Sequence, residues 1–222
     1  MIAEDAVRFL RKSNDFYDAI LMDLPDPSTV QWNRFFTREF FALVRERLNP
    51  GGVFSFGLIG AENYAGPEQR LLSSSVYQAL KSAFPNIRLI PGARQFFIAS
   101  DNPLVGDIAT LLKERGIATV YVNDDYLRAK LTPDRLDMAQ RMVSLPVQAN
   151  EDFSPISAYA HLEYWLRQFE RSGLFLPTLL MLGISGLLFV MFLGTRQRDV
   201  PAALCATGFL STPVLANTML VI

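Results

Sequence analysis

Asp23-Leu24-Pro25-Asp26-Pro27 brings two carboxylates into one short turn, with prolines between and behind them. The turn follows the apolar run Ala19-Ile20-Leu21-Met22, which reads as a buried strand. In an open α/β sheet, substrates lie at the carboxyl ends of the strands. Two acids at such an end are placed to bind a cation or to take a proton. The plain alternative stays open beside this one, because Asp-Pro pairs are common turn starters. Trp32 and Phe35-Phe36, just past the turn, fit either a pocket wall or core packing. Metal chemistry has little support: the chain has one histidine, His161, and one cysteine, Cys205, so it forms no multi-histidine site, no cysteine-rich site and no intrachain disulfide.

The elements that must position these acids alternate along the chain. Helical spacing covers Ala6–Arg11, and a strand is expected over Tyr17–Leu24. Thr37–Leu48 reads as an amphipathic helix with Thr37 as its N-cap and Phe40, Phe41, Val44 and Leu48 on one face. Asn49-Pro50-Gly51-Gly52 reads as its end, a turn device rather than a phosphate cradle. A strand over Val53–Ile59, a helix over Glu68–Phe84 and short strands over Ile87–Ile90 and Phe96–Ala99 follow. Then come a helix over 106–115, a strand over Ala118–Val122 and a helix over Pro133–Met142. This alternation predicts a mainly parallel sheet covered by helices. Pro146–Pro155 reads as a linker. Ala158–Arg171 reads as an amphipathic helix carrying Tyr159, Leu162, Tyr164, Trp165, Leu166 and Phe169.

The 222 residues carry 21 basic and 22 acidic side chains, with no basic stripe, which argues against a nucleic-acid partner. Mean hydropathy is +0.18, and the apolar excess collects in the last fifty residues. Gly173 to Gly194 contains no charge and is long enough to cross a bilayer as a helix. A second uncharged run, Val200 to Ile222, follows a short TRQRD turn. A transmembrane hairpin over 173–222 is expected, with aromatics of 146–172 in the lipid interface. The bland rival is a pair of buried core helices.

YDAILMDLPDP followed by FFTREFFALVRERLNPGGVFSF resembles the spermidine synthase (polyamine aminopropyltransferase) family. Asp5-Ala6 is similar to the D-G/A pair that precedes a helix upstream of the family's acidic turn, and GIATVYVN with Leu131-Thr132-Pro133 resembles the end of that domain. The resemblance covers about residues 1–145. DFSPISAYAHLEYWLRQF before an apolar segment resembles the membrane-fused branch of the family. What this implies is an α/β fold: a partial Rossmann-like sheet of the S-adenosylmethionine methyltransferase type, followed by a transmembrane helical hairpin. The implied reaction moves an aminopropyl group from decarboxylated S-adenosylmethionine, a co-substrate rather than a prosthetic group, to a diamine such as putrescine. By resemblance Asp23 is the proton acceptor, and Asp26 holds the cationic amine. Asp5 accepts a hydrogen bond from the adenine amino group with Ala6 beside it, and Leu24 and Pro25 lie against the nucleoside. Asp5 is read equally well as an N-cap.

The sequence departs from the family pattern in three places. The glycine-rich loop and the ribose-gripping acid, which normally lie upstream of Asp5, are absent, so the chain is expected to lack an N-terminal cofactor-binding half and to bind nucleoside poorly as it stands. Pro91-Gly92-Ala93-Arg94 stands where the family often has a tyrosine turn, and an inward Arg94 would repel a polycation. Bulky Gln31 and Trp32 follow the acidic turn. Two further functions are therefore kept: a catalytically silent, membrane-anchored interaction or sensing module, and a methyltransferase-like enzyme with another substrate. The expected partners are a small amine, an adenosyl sulfonium and membrane lipid, and a homo-oligomer is allowed. The expected location is a multi-pass membrane protein with its soluble domain in the cytoplasm.

Overall fold

The computed structural model describes residues 4–62, 64–104, 107–171 and 175–194. It divides into two units, Met1–Tyr164 and Trp165–Ile222.

In the first unit, helix α1 (Ala6–Lys12) leads into strand β1 (Tyr17–Met22), then α2 (Val30–Asn33), α3 (Arg38–Glu46) and β2 (Leu48–Ile59). Helix α4 (Pro67–Ala83), strands β3 (Asn86–Ile90) and β4 (Arg94–Ser100), and helices α5 (Ile108–Glu114), α6 (Asp124–Lys130) and α7 (Pro133–Met142) follow. Helix α8 (Ile156–Arg171) runs across the division between the units. The sheet is mixed, in the order β1-β2-β4-β3. β1 runs parallel to β2, and β4 runs antiparallel to both β2 and β3. Two of the three ladders are therefore antiparallel, which corrects the expectation of a mainly parallel sheet: only three residues separate β3 from β4, too few for a parallel crossover, so the two close as a hairpin.

One face of this sheet is sealed by aromatics. Phe54, Phe56 and Leu58 alternate along β2 and are buried, as the period of two requires. Phe56 stacks on Phe97 of β4 with centroids 4.8 Å apart and also meets Phe41, Phe36 and Phe54. Phe41 comes from α3, whose N-cap is Thr37 as expected: its hydroxyl accepts the Phe40 N–H at 3.3 Å. Phe84, the C-cap of α4, stacks on Phe54.

Two local expectations are corrected. Gly51 and Gly52 do not close a turn after α3 but lie inside β2. Gly51 has φ +82°, and the ladder slips between Tyr17↔Leu48 and Ala19↔Val53. This is a bulge made possible by a left-handed glycine. Residues 118–122 form no strand: Val120 and Tyr121 are among the most exposed apolar side chains, and no ladder pairs with them. β-branched and aromatic residues favour a strand only where a neighbouring strand receives them.

The segment 146–155 carries a buried polar knot. Asn150 is fully buried, and its Nδ2 donates to Asn33 Oδ1 at 3.0 Å and to the Phe36 carbonyl at 2.9 Å. Its Oδ1 accepts the Ser157 N–H at 3.1 Å, and Ser157 Oγ donates to Asn33 Oδ1 at 2.6 Å. Every buried polar atom of the knot is thus paired, as burial demands.

In the second unit, helix α9 (Phe175–Gly194) has 20 residues and no Asp, Glu, Lys or Arg. Among the described residues no helix is long and apolar enough to cross a membrane. The expected hairpin is therefore not shown, and its second helix, 200–222, lies outside the described residues.

Candidate functional site

β1 is the edge strand of the sheet, with β2 on one side and no strand on the other among the described residues. Beside it lies an apolar groove of about 370 Å³, within the size range of small-molecule sites. Its walls are Ala6 and Phe9 of α1, Ile20 to Leu24 of β1 and its exit, and Phe35 and Phe40 near α3. Of the residues predicted for the site, Ala6, Asp23 and Leu24 line this groove together, although Ala6 is seventeen positions upstream of Asp23. Asp5, Pro25 and Asp26 are not among its lining residues.

Asp23 follows the last residue of β1, and its side chain is fully exposed at the groove. Asp26 sits deeper, with a side chain 18% exposed. Its Oδ1 accepts the Ile59 N–H at 3.1 Å, tying the acidic turn to the end of β2. Burial pushes the Asp26 carboxyl above its ordinary value. The Ile59 hydrogen bond, Arg94 and His161 each oppose that shift without cancelling it. The two acids are therefore unequal: one is fully exposed, and the other is a half-enclosed anchor of the turn.

Asp5 caps α1. Its Oδ1 accepts the Arg8 N–H at 3.1 Å and also pairs with Arg34 at 2.9 Å. The capping reading is thus realised, and Oδ2 has no hydrogen bond among the described residues. Phe36 and Phe35 both belong to the core, and Phe35 also faces the groove.

Of two further contributors, Arg94 is foreseen as an inward cation and His161 escapes the sequence. Arg94 reaches the acidic turn, donating to the Leu24 carbonyl at 2.7 Å across 70 positions of chain. His161 of α8, when protonated, opposes the rise of the Asp26 carboxyl. The signal for Arg94 was its place on β4 opposite the far end of β2, which pairs it with Ile59. Nothing in the sequence brings α8 to the acidic turn.

Residues 1–91 match the family described as "Spermine/spermidine synthase domain". A polyamine aminopropyltransferase of Oceanobacillus iheyensis is 28% identical over 166 residues, which cover 72% of this chain and 31% of that protein. Another polyamine aminopropyltransferase, from Synechococcus sp. (strain JA-2-3B'a(2-13)), is 30% identical over 89 residues, covering 40% of this chain and 27% of that protein. The chain spans less than a third of the length of these curated relatives. A crystal structure of human methyltransferase-like protein 13 in complex with SAH is similar at a TM-score of 0.41 and 19% identity, over 58% of this chain and 64% of that one, a level that carries no argument.

Proposed function

We propose that the chain is a member of the spermidine synthase (polyamine aminopropyltransferase) family, which its likeness to that family's model over residues 1–91 and to the curated relatives supports, and that the rim of β1 is the amine-side part of an aminopropyl-transfer site. Asp23 takes the proton that an ammonium must lose before its nitrogen has a lone pair to offer. The freed amine attacks the methylene carbon bound to the sulfonium of decarboxylated S-adenosylmethionine. A C–N bond forms and the C–S bond breaks. The bonding pair stays on sulfur, which departs as the neutral thioether methylthioadenosine, and the product is a secondary ammonium. The leaving group needs no acid, which suits a groove lined by a single carboxylate.

Within this proposal Asp26 is the second carboxylate beside the cation. Ala6, Leu24 and Pro25 lie toward the nucleoside, and Asp5 meets the adenine amino group through Oδ2. The observation that carries the reading is that Asp23, at the carboxyl end of a strand, shares one groove with Ala6 of α1. In a form of the protein that transfers, Asp23→Asn is expected to lower turnover by about a hundredfold or more and to leave methylthioadenosine affinity, measured by calorimetry, unchanged. Retained turnover would remove Asp23 from its role.

The full exposure of Asp23 favours a second reading, a catalytically silent interaction or sensing module. Nucleoside binding without transfer in a chain carrying all the family's segments would select it. Attachment to a membrane through α9, with the first unit in the cytoplasm, is proposed on sequence alone. Release of the whole chain from membranes by alkaline carbonate would oppose it.

A further inference from the structure

Arg94 opens β4, and its side chain runs back over Gly57 of β2, where a Cβ would meet its Nε at 2.5 Å. Only glycine leaves that path clear. One terminal nitrogen donates to the carbonyls of Leu24 at 2.7 Å and Gly57 at 3.0 Å. The same guanidinium stands 3.9 Å from Asp23 and 3.9 Å from Asp26. Two backbone carbonyls therefore fix a permanent cation between the two acids of the turn. Lys130 of α6 adds another positive charge nearby, its Nζ filling the space that a Cβ on Gly92 would take.

We propose that Arg94 sets the charge class of the acceptor: the rim takes an amine whose remaining body is neutral or anionic, and disfavours one carrying a second ammonium. This deepens the amine-acceptor reading of Asp23 and rests on it. Two carboxylates alone would suit a dication. With Arg94 the trio carries a formal charge of −1, which a single ammonium balances. A second ammonium tethered a few ångströms away would approach the guanidinium at distances where salt screens little. A carboxylate or hydroxyl in that place would instead find guanidinium N–H donors. His161, when protonated, shifts the field at Asp26 in the same direction.

The test is an NMR titration of the 222-residue chain with putrescine, butylamine and γ-aminobutyrate, read at the signals of residues 22–27 and 94. Butylamine and γ-aminobutyrate are expected to bind about tenfold more tightly than putrescine. Arg94→Gln is expected to reverse that order, and Arg94→Lys, which keeps the charge, to retain it. Should Arg94→Gln fail to fold, the wild-type order and Arg94→Lys decide. Putrescine binding tightest to the wild type, or an order that Arg94→Gln leaves unchanged, overturns the inference while the amine reading stands. Absence of saturable binding by every amine overturns both.

Discussion

Leu21 and Met22 are neighbours in β1 that pair with Ser55 and Phe56 of β2, so they point to opposite faces of the sheet. On the Phe56 face, side chains from β2, β4, α3 and the end of α4 close into an aromatic core, and Phe56 is 2% exposed. On the Leu21 face, Leu21 is 78% exposed and Phe96 43%. The filler there is Arg94, lying across Gly57 toward the acidic turn. The run A-I-L-M has the composition of a strand buried on both sides. One side supplies the stability of the first unit. The free edge leaves room for the groove, and the other side for the reach of Arg94 to the acids.

The comparison is broken most severely from the sealed face. Phe56→Ala removes a ring that packs against Phe36, Phe41, Phe54 and Phe97. It is expected to cost about 3–5 kcal/mol in denaturant unfolding, a large share of the stability of an ordinary domain. The buried knot comes next. Asn150→Ala strands the Ser157 N–H and the Phe36 carbonyl in a dry site. About 1–3 kcal/mol for each stranded group is expected, read as a fall in the urea midpoint at constant slope. A loss below that range would mean that water replaces the amide.

Asp26 tests the boundary between the two faces through pH. Its carboxyl is held above the ordinary value of 3.8, chiefly by burial. An acid raised on folding contributes stability that is fully present below its unfolded value, and that contribution is lost as pH rises through the folded value. Wild-type stability should therefore carry a falling component from 3.8 upward. Asp26→Asn removes the titration, while its amide oxygen still accepts the Ile59 N–H. The variant is expected to be as stable as the wild type or more so at neutral pH, with a flatter profile in acid. A wild-type component that rises through this window would reverse the assigned cause.

What the sequence makes legible follows distance along the chain. Thr37 capping the Phe40 N–H and the alternation of Phe54, Phe56 and Leu58 are relations among neighbours, and both are readable. So is the placement of Asp23 at a strand end, since the apolar run and the prolines sit beside it. The bond from Arg94 to Leu24 spans 70 positions and that from Asn150 to Asn33 spans 117. Each depends on a register that no local pattern specifies. Residues 118–122 fail in the opposite direction: their local preference for a strand is strong, and no partner strand receives them. The unequal burial of Asp23 and Asp26 belongs to the same class, because it is set by Ile59 and Arg94 rather than by the turn they share.

The smallest expected effect is also the sharpest test of the open face. Leu21 gives up little contact on folding, so Leu21→Ser should change stability by no more than about 0.5 kcal/mol, the scale of an exposed substitution. The contrast with Phe56, one step along the ladder, would then exceed a factor of five or so. Unfolding midpoints for both variants, measured side by side in urea, supply the comparison. A Leu21→Ser loss of about 2 kcal/mol or more would place that side chain in an apolar contact in solution. The contact would have to come from a second copy or from chain beyond the described residues. Repeating the melt over a range of protein concentrations separates these two sources: a difference between wild type and variant that shrinks on dilution names the second copy, and a concentration-independent difference names the same chain.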